Sequence, residues 1–264
     1  MIRRAVRATA LEILGRLRPF SRETTVRFLY GHSMSVEERA TFRATLGMLR
    51  NHFEFVSVPH AVELVRTRPA SGRYLCFSFD DGFRDNHDVI APTLADAGAT
   101  ACFFVASNLV AGSDEVRRSI LRDRLHTSPD RPTMTVPMLR ELSRAGFTIG
   151  CHTRDHVDLA AVTADEAREQ VLGSQADVAA AIGAPCAYFA WPYGRRANLP
   201  EAVLRAVAPH FTAVFSAIRS DSVFSYDGMA INRDHFEPGW PTAHVRYFAA
   251  RPLPLTAGMH EDGA

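Results

Sequence analysis

Strand-like and helix-like stretches alternate along nearly the whole chain, and this alternation limits the fold more than any other feature of the sequence. Apolar runs at 25–30, 53–58, 74–79, 100–105, 147–150, 187–190, 212–215 and 229–232 have the length and β-branched or aromatic content of strands. Helical patterns fall between them. Ser35 with Glu38 resembles a capping box opening a helix that reaches Arg50. Others cover 60–66, 85–97 (despite Pro92, with Gly98 ending it), 138–145 up to Gly146, 164–182 up to Gly183, 199–207 and 241–249. Such alternation predicts a parallel sheet with helical crossovers. Seven or eight units in 264 residues favour a single-domain α/β fold, an incomplete or distorted (β/α)7-type barrel, over an open doubly wound sheet. The expected layout is an N-terminal helical extension at 1–22, the barrel at 23–250 and a frayed tail at 251–264.

The stretch Cys76-Phe77-Ser78-Phe79-Asp80-Asp81-Gly82 is the most informative of the strand ends. Two adjacent carboxylates at the end of a buried strand are costly unless their charge is compensated. A divalent cation would do this; capping of the next helix is the plainer alternative. His152-Thr153-Arg154-Asp155-His156 also follows a strand, and two histidines at i and i+4 on a helical turn could hold one metal ion. His32 and Trp191-Pro192-Tyr193 follow two further strands. In parallel barrels the chemistry sits at the C-terminal ends of the strands, where all these groups are expected.

Composition removes several function classes. All 30 basic residues are arginine, which excludes Schiff-base chemistry through a lysine. A formal charge of +1 gives no bulk attraction to nucleic acid. There is no GxGxxG or GxxxxGK[ST] pattern, so nucleotide sites have no support. Cys76, Cys102, Cys151 and Cys186 form no CxxC pair and read mostly as small buried apolar residues. The first 18 residues are Arg-rich without a secretory apolar core, so the expected location is cytoplasmic, with possible membrane association. Val6, Leu11, Ile13, Leu14 and Leu17 share a helical face there, either packed on the domain or in peripheral contact with a membrane. The segment 107–137 reads as a long loop with one helical piece at 115–124, placed to cover the site.

From Val26 to Arg233 the chain resembles the NodB-homology polysaccharide deacetylases, carbohydrate esterase family 4. Ser78-Phe79-Asp80-Asp81-Gly82 is similar to the family's first motif, usually Thr-Phe-Asp-Asp-Gly. His152 to His156, followed by Asp158-Leu159, is similar to the second, and Phe189-Ala190-Trp191-Pro192-Tyr193-Gly194 to the third. The resemblance implies that Asp81, His152 and His156 bind one divalent metal, zinc first, with cobalt, nickel or iron also possible. It implies Asp80 as general base and the Tyr193 backbone N–H as oxyanion donor. The family's usual C-terminal Leu-x-His is missing; Asn232-Arg233-Asp234-His235 stands there. Phe28-Leu29-Tyr30-Gly31-His32-Ser33 is similar instead to the exopolysaccharide subgroup, in which the acid histidine comes first, so His32 is the expected acid and His235 the reserve. Ala190 stands where the third motif often has an Arg that orients the base, and Arg233 is the expected substitute. Trp191 and Tyr193 are the expected sugar-facing aromatics. The implied activity is removal of N-acetyl groups from an amino sugar in a polysaccharide, oligosaccharide or lipid-linked saccharide. Alternatives are a glycan-binding protein without turnover, or a deacylase of a non-sugar amide or O-acetyl ester.

Overall fold

The computed structural model describes residues 2–69 and 71–255, with residues 2–8 described as backbone only. The elements follow in the order α1 (Ile2–Leu17), β1 (Thr25–Gly31), α2 (Arg39–Arg50), β2 (Glu54–Phe55), α3 (Val58–Thr67), β3 (Arg73–Phe79), α4 (Ala91–Asp96) and β4 (Ala101–Val105). Then come α5 (Ser107–Ala111), α6 (Asp114–Ser119), α7 (Val136–Arg144), β5 (Thr148–Cys151), α8 (Ala164–Ile182), β6 (Tyr188–Ala190), α9 (Glu201–Val207), β7 (Ala213–Phe215), β8 (Phe224–Ser225), β9 (Ala230–Ile231), β10 (Asp234–His235) and α10 (Thr242–Ala249).

The sheet runs in the order β10-β1-β3-β4-β5-β6-β7-β9-β8, and β2 shares the free part of one edge of β3. Every pairing is parallel except β8 with β9. No pairing among the described residues joins β8 to β10, so the barrel is curled but open there. This is the distorted (β/α)7-type barrel that the alternation predicts.

Strand side chains alternate in direction, and the sequence uses both directions for apolar groups. Phe28, Cys76, Cys102, Phe104, Tyr188, Phe215 and Ile231 fill the inside of the curl. Their neighbours Leu29, Phe77, Phe103, Cys151, Phe189 and Val214 face outward and meet the helices, among them Phe42 and Leu46 of α2, Leu94 of α4, Leu142 of α7 and Val171 of α8. The inner face has little spare room. A Cβ on Gly150 would stand 2.5 Å from the Phe104 ring, so β5 carries glycine where that ring crosses the lumen.

Several local readings change in three dimensions. Only half of the capping box at Ser35 forms: the Glu38 carboxylate accepts from the Ser35 N–H at 2.8 Å, and the helix proper starts at Arg39. A complete box is present at Thr163 and Glu166, opening α8. The expected helix across Pro92 is two pieces, a π-helical turn Asn86–Ile90 and then α4. Pro92 has no N–H to continue an α ladder, and it sits in the first turn of α4 where none is needed. The segment after β4 is more ordered than a loop. It holds α5, α6 and a π-helical turn Ile120–Arg124, and Phe83, Ala106, Leu109, Ile120 and Leu121 give it a small core of its own.

Helix α1 lies along α10, where Arg246 donates to the carbonyls of Gly15 and Arg18 at 2.8 and 3.0 Å. Ile13, Leu14 and Leu17 stay exposed. Among the described residues no helix is long and apolar enough to cross a membrane. The expected frayed tail is packed as far as it is described. Leu253 and Leu255 are buried, and the Leu253 carbonyl accepts from Thr25 Oγ1 at 2.7 Å; residues 256–264 lie outside the described residues.

Where β10 joins β1, Asp234 is buried among Arg27, Arg219 and Arg251, at 3.0, 3.3 and 3.1 Å. Removing one partner of a buried pair strands the other charge. Asp234→Ala is therefore expected to lower the unfolding free energy by about 3–5 kcal/mol, measured by denaturant titration. A loss below about 1 kcal/mol would show that the arginines rest on solvent and not on Asp234.

Candidate metal centre and surrounding pocket

A pocket of about 300 Å³ opens at the C-terminal ends of the strands, lined by Tyr30, His32, Asp80, Asp81, His152, His156, Trp191 and Tyr193 from below and by Arg124, Leu125 and His126 from one side. Strand parity explains part of this set. Tyr30, Ser78, His152 and Ala190 continue the inward-facing series of β1, β3, β5 and β6. Asp80 continues that of β3.

Asp80 is buried and held through both carboxylate oxygens by Arg233, at 2.8 Å each. The guanidinium also donates to Ser78 Oγ at 3.0 Å and to the Ser216 carbonyl at 2.8 Å, and it lies over the rings of Tyr30 and Phe104. Asp81 leaves the strand direction altogether, with φ of 76°, and Gly82 follows at 98°. That turn aims Asp81 across the rim at the two histidines. Its Oδ1 lies 3.6 Å from His152 Nε2 and 3.2 Å from His156 Nε2.

The two histidines meet with ring centroids 5.1 Å apart, but not on a helical turn as the i, i+4 spacing suggests. Residues 152–156 are loop, with left-handed backbone at Thr153 (φ 65°) and His156 (φ 52°). The loop is held from outside. Ser174 Oγ donates to the Thr153 carbonyl at 2.9 Å, Arg154 grips Asp177 at 2.8 Å, and Asn108 and Gln170 donate to Asp155 at 2.7 and 2.6 Å. Five of the eight described non-glycine residues with positive φ line or adjoin the pocket: Asp81, His126, Thr153, His156 and Tyr193. Strain of this kind collects where the surroundings over-determine a functional geometry.

Asp81, His152 and His156 each offer a ligand atom, all within 4.8 Å of one another. Their chemistry suits a cation. The Ala190 carbonyl can only accept, so His152 Nδ1 carries the proton of that 2.7 Å bond, and a neutral ring then leaves Nε2 as a bare lone pair facing a carboxylate. Two acceptors facing each other are unfavourable without a cation between them. Burial pushes the His152 imidazole down to about 4, which keeps it neutral and able to ligate. His156 Nδ1 is buried without a partner. For Asp81, burial raises the pKa, but the His156 hydrogen bond and the charges of His156, His32 and His152 outweigh it and hold the carboxyl below the usual range.

Across the pocket stands a group that the sequence reading lacked. Tyr30 pairs with His235 in the β1–β10 register, so two residues further along His32 comes to face Glu237. Glu237 Oε1 is 2.8 Å from His32 Nδ1 and 2.7 Å from His235 Nε2. Both candidate acid histidines thus hang on one carboxylate, but His32 lines the pocket and His235 does not. The only sequence signal for Glu237 is its place two residues after the reserve histidine. For His32, burial lowers the pKa, but the Glu237 hydrogen bond and the charges of Asp81, Asp80 and Glu237 prevail and raise it to about 9.

The aromatic pair separates. Trp191 is 1 % exposed, its Nε1–H bonded to the Arg195 carbonyl at 3.1 Å and its ring against Tyr226. It backs the pocket wall and presents no open face for a sugar, because its side chain points outward from β6 into the helix layer. Tyr193, 42 % exposed, packs edge-on against His156 with centroids 5.1 Å apart.

A curled (β/α) barrel with an Asp/His cluster at its strand ends has the ligand set to hold a metal ion beside an open pocket. The family follows from the sequence match: the polysaccharide deacetylase family model covers residues 67–208, just over half of the chain. The chain belongs to that family, NodB homology included. The matched span holds Asp80, Asp81, His152, His156 and Tyr193, while His32, Arg233 and Glu237 lie outside it. No curated protein matches the chain. Among solved structures the chain is similar to the Streptococcus pyogenes deacetylase PplD in complex with acetate, at 18 % identity and TM-score 0.67, over 84 % of this chain and 97 % of that one. It is similar to IcaB from Ammonifex degensii at 20 % identity and TM-score 0.64, over 89 % of this chain and 100 % of that one. A de-N-acetylase from Aggregatibacter actinomycetemcomitans aligns at 15 % identity and TM-score 0.64, over 84 % and 99 %. These likenesses establish the fold.

The His32–Glu237 contact is open to direct measurement. In metal-free protein the His32 imidazole is expected to titrate near 9 by NMR, and to fall toward the ordinary histidine value in Glu237→Gln. An ordinary value in both proteins would mean that the contact does not form.

Proposed function

We propose that the protein is a metal-dependent carbohydrate N-deacetylase, a hydrolase of the amide bond of an N-acetylated amino sugar. The observation that carries this reading is the Asp81/His152/His156 cluster beside an Arg-clamped Asp80, with His32 facing them across one pocket. Asp81, His152 and His156 would hold the metal ion, zinc being the best chemical fit to two imidazoles and a carboxylate. Bound there, a divalent ion acidifies water and polarises a carbonyl oxygen.

The chain's own groups cover the remaining steps. Asp80 takes the proton of the attacking water at a carboxylate oxygen. Each of its oxygens accepts one bond from Arg233 and retains a lone pair for this purpose. Arg233 fixes the carboxylate plane and fills the place that Ala190 leaves vacant. The Tyr193 backbone N–H, at a left-handed turn, faces the developing oxyanion. His32 protonates the departing amine, and Glu237 orients its ring and stabilises the imidazolium. An amide needs this proton more than an ester does, since an amine is the poorer leaving group, and the His32–Glu237 pair therefore supports N- over O-deacetylation. An acid on β1 also supports kinship with the exopolysaccharide subgroup. Exposed Ile13, Leu14 and Leu17 on α1 support a site of action at a lipid surface, where a lipid-linked saccharide would be met.

Metal uptake, turnover and its pH dependence test the reading. Purified protein is expected to take up about one equivalent of zinc or cobalt, and Asp81→Ala little. Absence of uptake by the unmodified chain would sink the hydrolase reading and leave a glycan-binding protein. Asp80→Asn should keep its metal while acetate release from N-acetylated oligosaccharides falls by about 10²–10⁴-fold. Arg233→Ala should slow turnover and alter its pH dependence; full turnover with an unchanged profile would exclude its role. His32 must be protonated to donate, so kcat/KM should fall as pH rises through a limb no higher than about 9, because a bound cation offsets the Asp81 charge that helps raise it. Glu237→Gln removes the hydrogen-bonded carboxylate and should move that limb down.

A further inference from the structure

The covering segment carries five arginines between its first helix and α7: Arg117, Arg118, Arg122, Arg124 and Arg131. Four are spoken for. Arg117 pairs with Asp114 and Arg118 with Asp130. Arg122 chelates both oxygens of Asp123 at 2.8 Å. Arg131 lies over the Phe83 ring at 3.5 Å and reaches Asp85 at 3.5 Å. Arg124 alone of the five makes no ion pair or side-chain hydrogen bond among the described residues, and it alone lines the pocket.

Its position is built. The π-helical turn Ile120–Arg124 stands on buried Ile120 and Leu121, and is closed by Leu125 N–H to the Ile120 carbonyl at 3.0 Å and Thr127 N–H to the Leu121 carbonyl at 2.9 Å. Tyr193 Oη donates to the Arg124 carbonyl at 3.3 Å, which ties the turn to the residue that packs on His156. His126, at φ 50°, lines the same wall as a second donor. Around the pocket Asp80 is paired with Arg233, Glu237 beside it is held by two histidines, and Asp81 faces the proposed metal site. The guanidinium of Arg124, exposed on the pocket wall, has no protein partner among the described residues.

We infer that Arg124, with His126 beside it, binds an anionic group of the substrate, so that the preferred saccharide carries a carboxylate or phosphate next to the N-acetyl sugar. This rests on the deacetylase reading for the identity of the sugar, though the anion contact does not depend on turnover. Guanidinium is the side chain that best matches either anion, through two parallel hydrogen bonds. A neutral glycan would leave it solvated and without use.

The test is calorimetric binding to the metal-loaded protein at fixed salt, since surface charge effects are screened. Chitotetraose is the neutral probe, a hyaluronan tetrasaccharide the carboxylate probe, and N-acetylglucosamine 1-phosphate against N-acetylglucosamine the phosphate pair. The wild type should favour at least one acidic probe by about tenfold or more, the size of a charge-assisted contact. Which one it favours identifies the anion. Arg124→Glu should abolish the preference and Arg124→Gln reduce it, while Arg168→Glu, an exposed charge reversal on α8, should retain it. Equal affinity for acidic and neutral probes, no binding of either acidic probe, or a preference that survives Arg124→Glu overturns the inference. Acetate release recorded on the same samples decides the deacetylase reading separately.

Discussion

The ion pair between Asp80 and Arg233 sets the geometry of everything around it. It spans the lumen from the end of β3 to the residue between β9 and β10, with both side chains buried. Burying two charges costs several kcal/mol each, and their attraction roughly offsets that cost. The pair is therefore a poor source of stability and a good source of position. Ser78, the Ser216 carbonyl and the rings of Tyr30 and Phe104 leave the guanidinium one orientation, and that orientation fixes the Asp80 carboxylate. An aspartate so held presents its remaining lone pairs in a fixed plane. The arginine comes from a link between strands far away in sequence, so the positioning exists only once the curl has formed.

The second constraint is the turn at Asp81. Successive strand side chains point to opposite faces, which would send Asp80 and Asp81 apart. The left-handed backbone at Asp81 resolves this, and Gly82 continues it where a side chain would be strained and would crowd Val105 at 3.2 Å. Asp80 stays with the lumen and its arginine. Asp81 swings to the histidines. Two neighbouring carboxylates thereby acquire separate electrostatic surroundings, the condition for separate chemical roles. The same device recurs at Thr153, His156 and Tyr193, each braced by hydrogen bonds or packing from the helix layer or the covering segment.

The barrel was legible because each strand carries its own signal, a short apolar run, and because parallel strands put all their C-terminal ends on one side. Asp80, Asp81, His152 and His156 were legible for the same reason: each follows such a run closely. What was hidden depends on contacts between distant segments. Glu237 looks like any surface glutamate until β10 pairs with β1. The i, i+4 spacing of His152 and His156 suggests a helix, yet α8 and α5 hold the loop in a non-helical path that no local pattern encodes. Trp191 looks like a sugar platform because aromatics often are, but strand parity turns it into the helix layer. The segment 107–137 reads as loop since its helices are short, and the core that orders them includes Phe83 from another part of the chain.

The place of His32, the proposed acid, shows how little chain order constrains such a site. Leu29 pairs with Asp234 and Tyr30 with His235, so the ends of β1 and β10 are equivalent places on one rim. A histidine following either strand arrives beside Glu237, and here both do. What separates them is the pocket: His32 lines it, whereas His235 lies beyond Glu237 and packs against Trp240. A proton donor needs reach to the leaving group and a carboxylate behind it. At the seam between the first strand and the last the curled sheet brings a histidine from either end of the sequence to the same carboxylate, and only the one after β1 opens on the pocket.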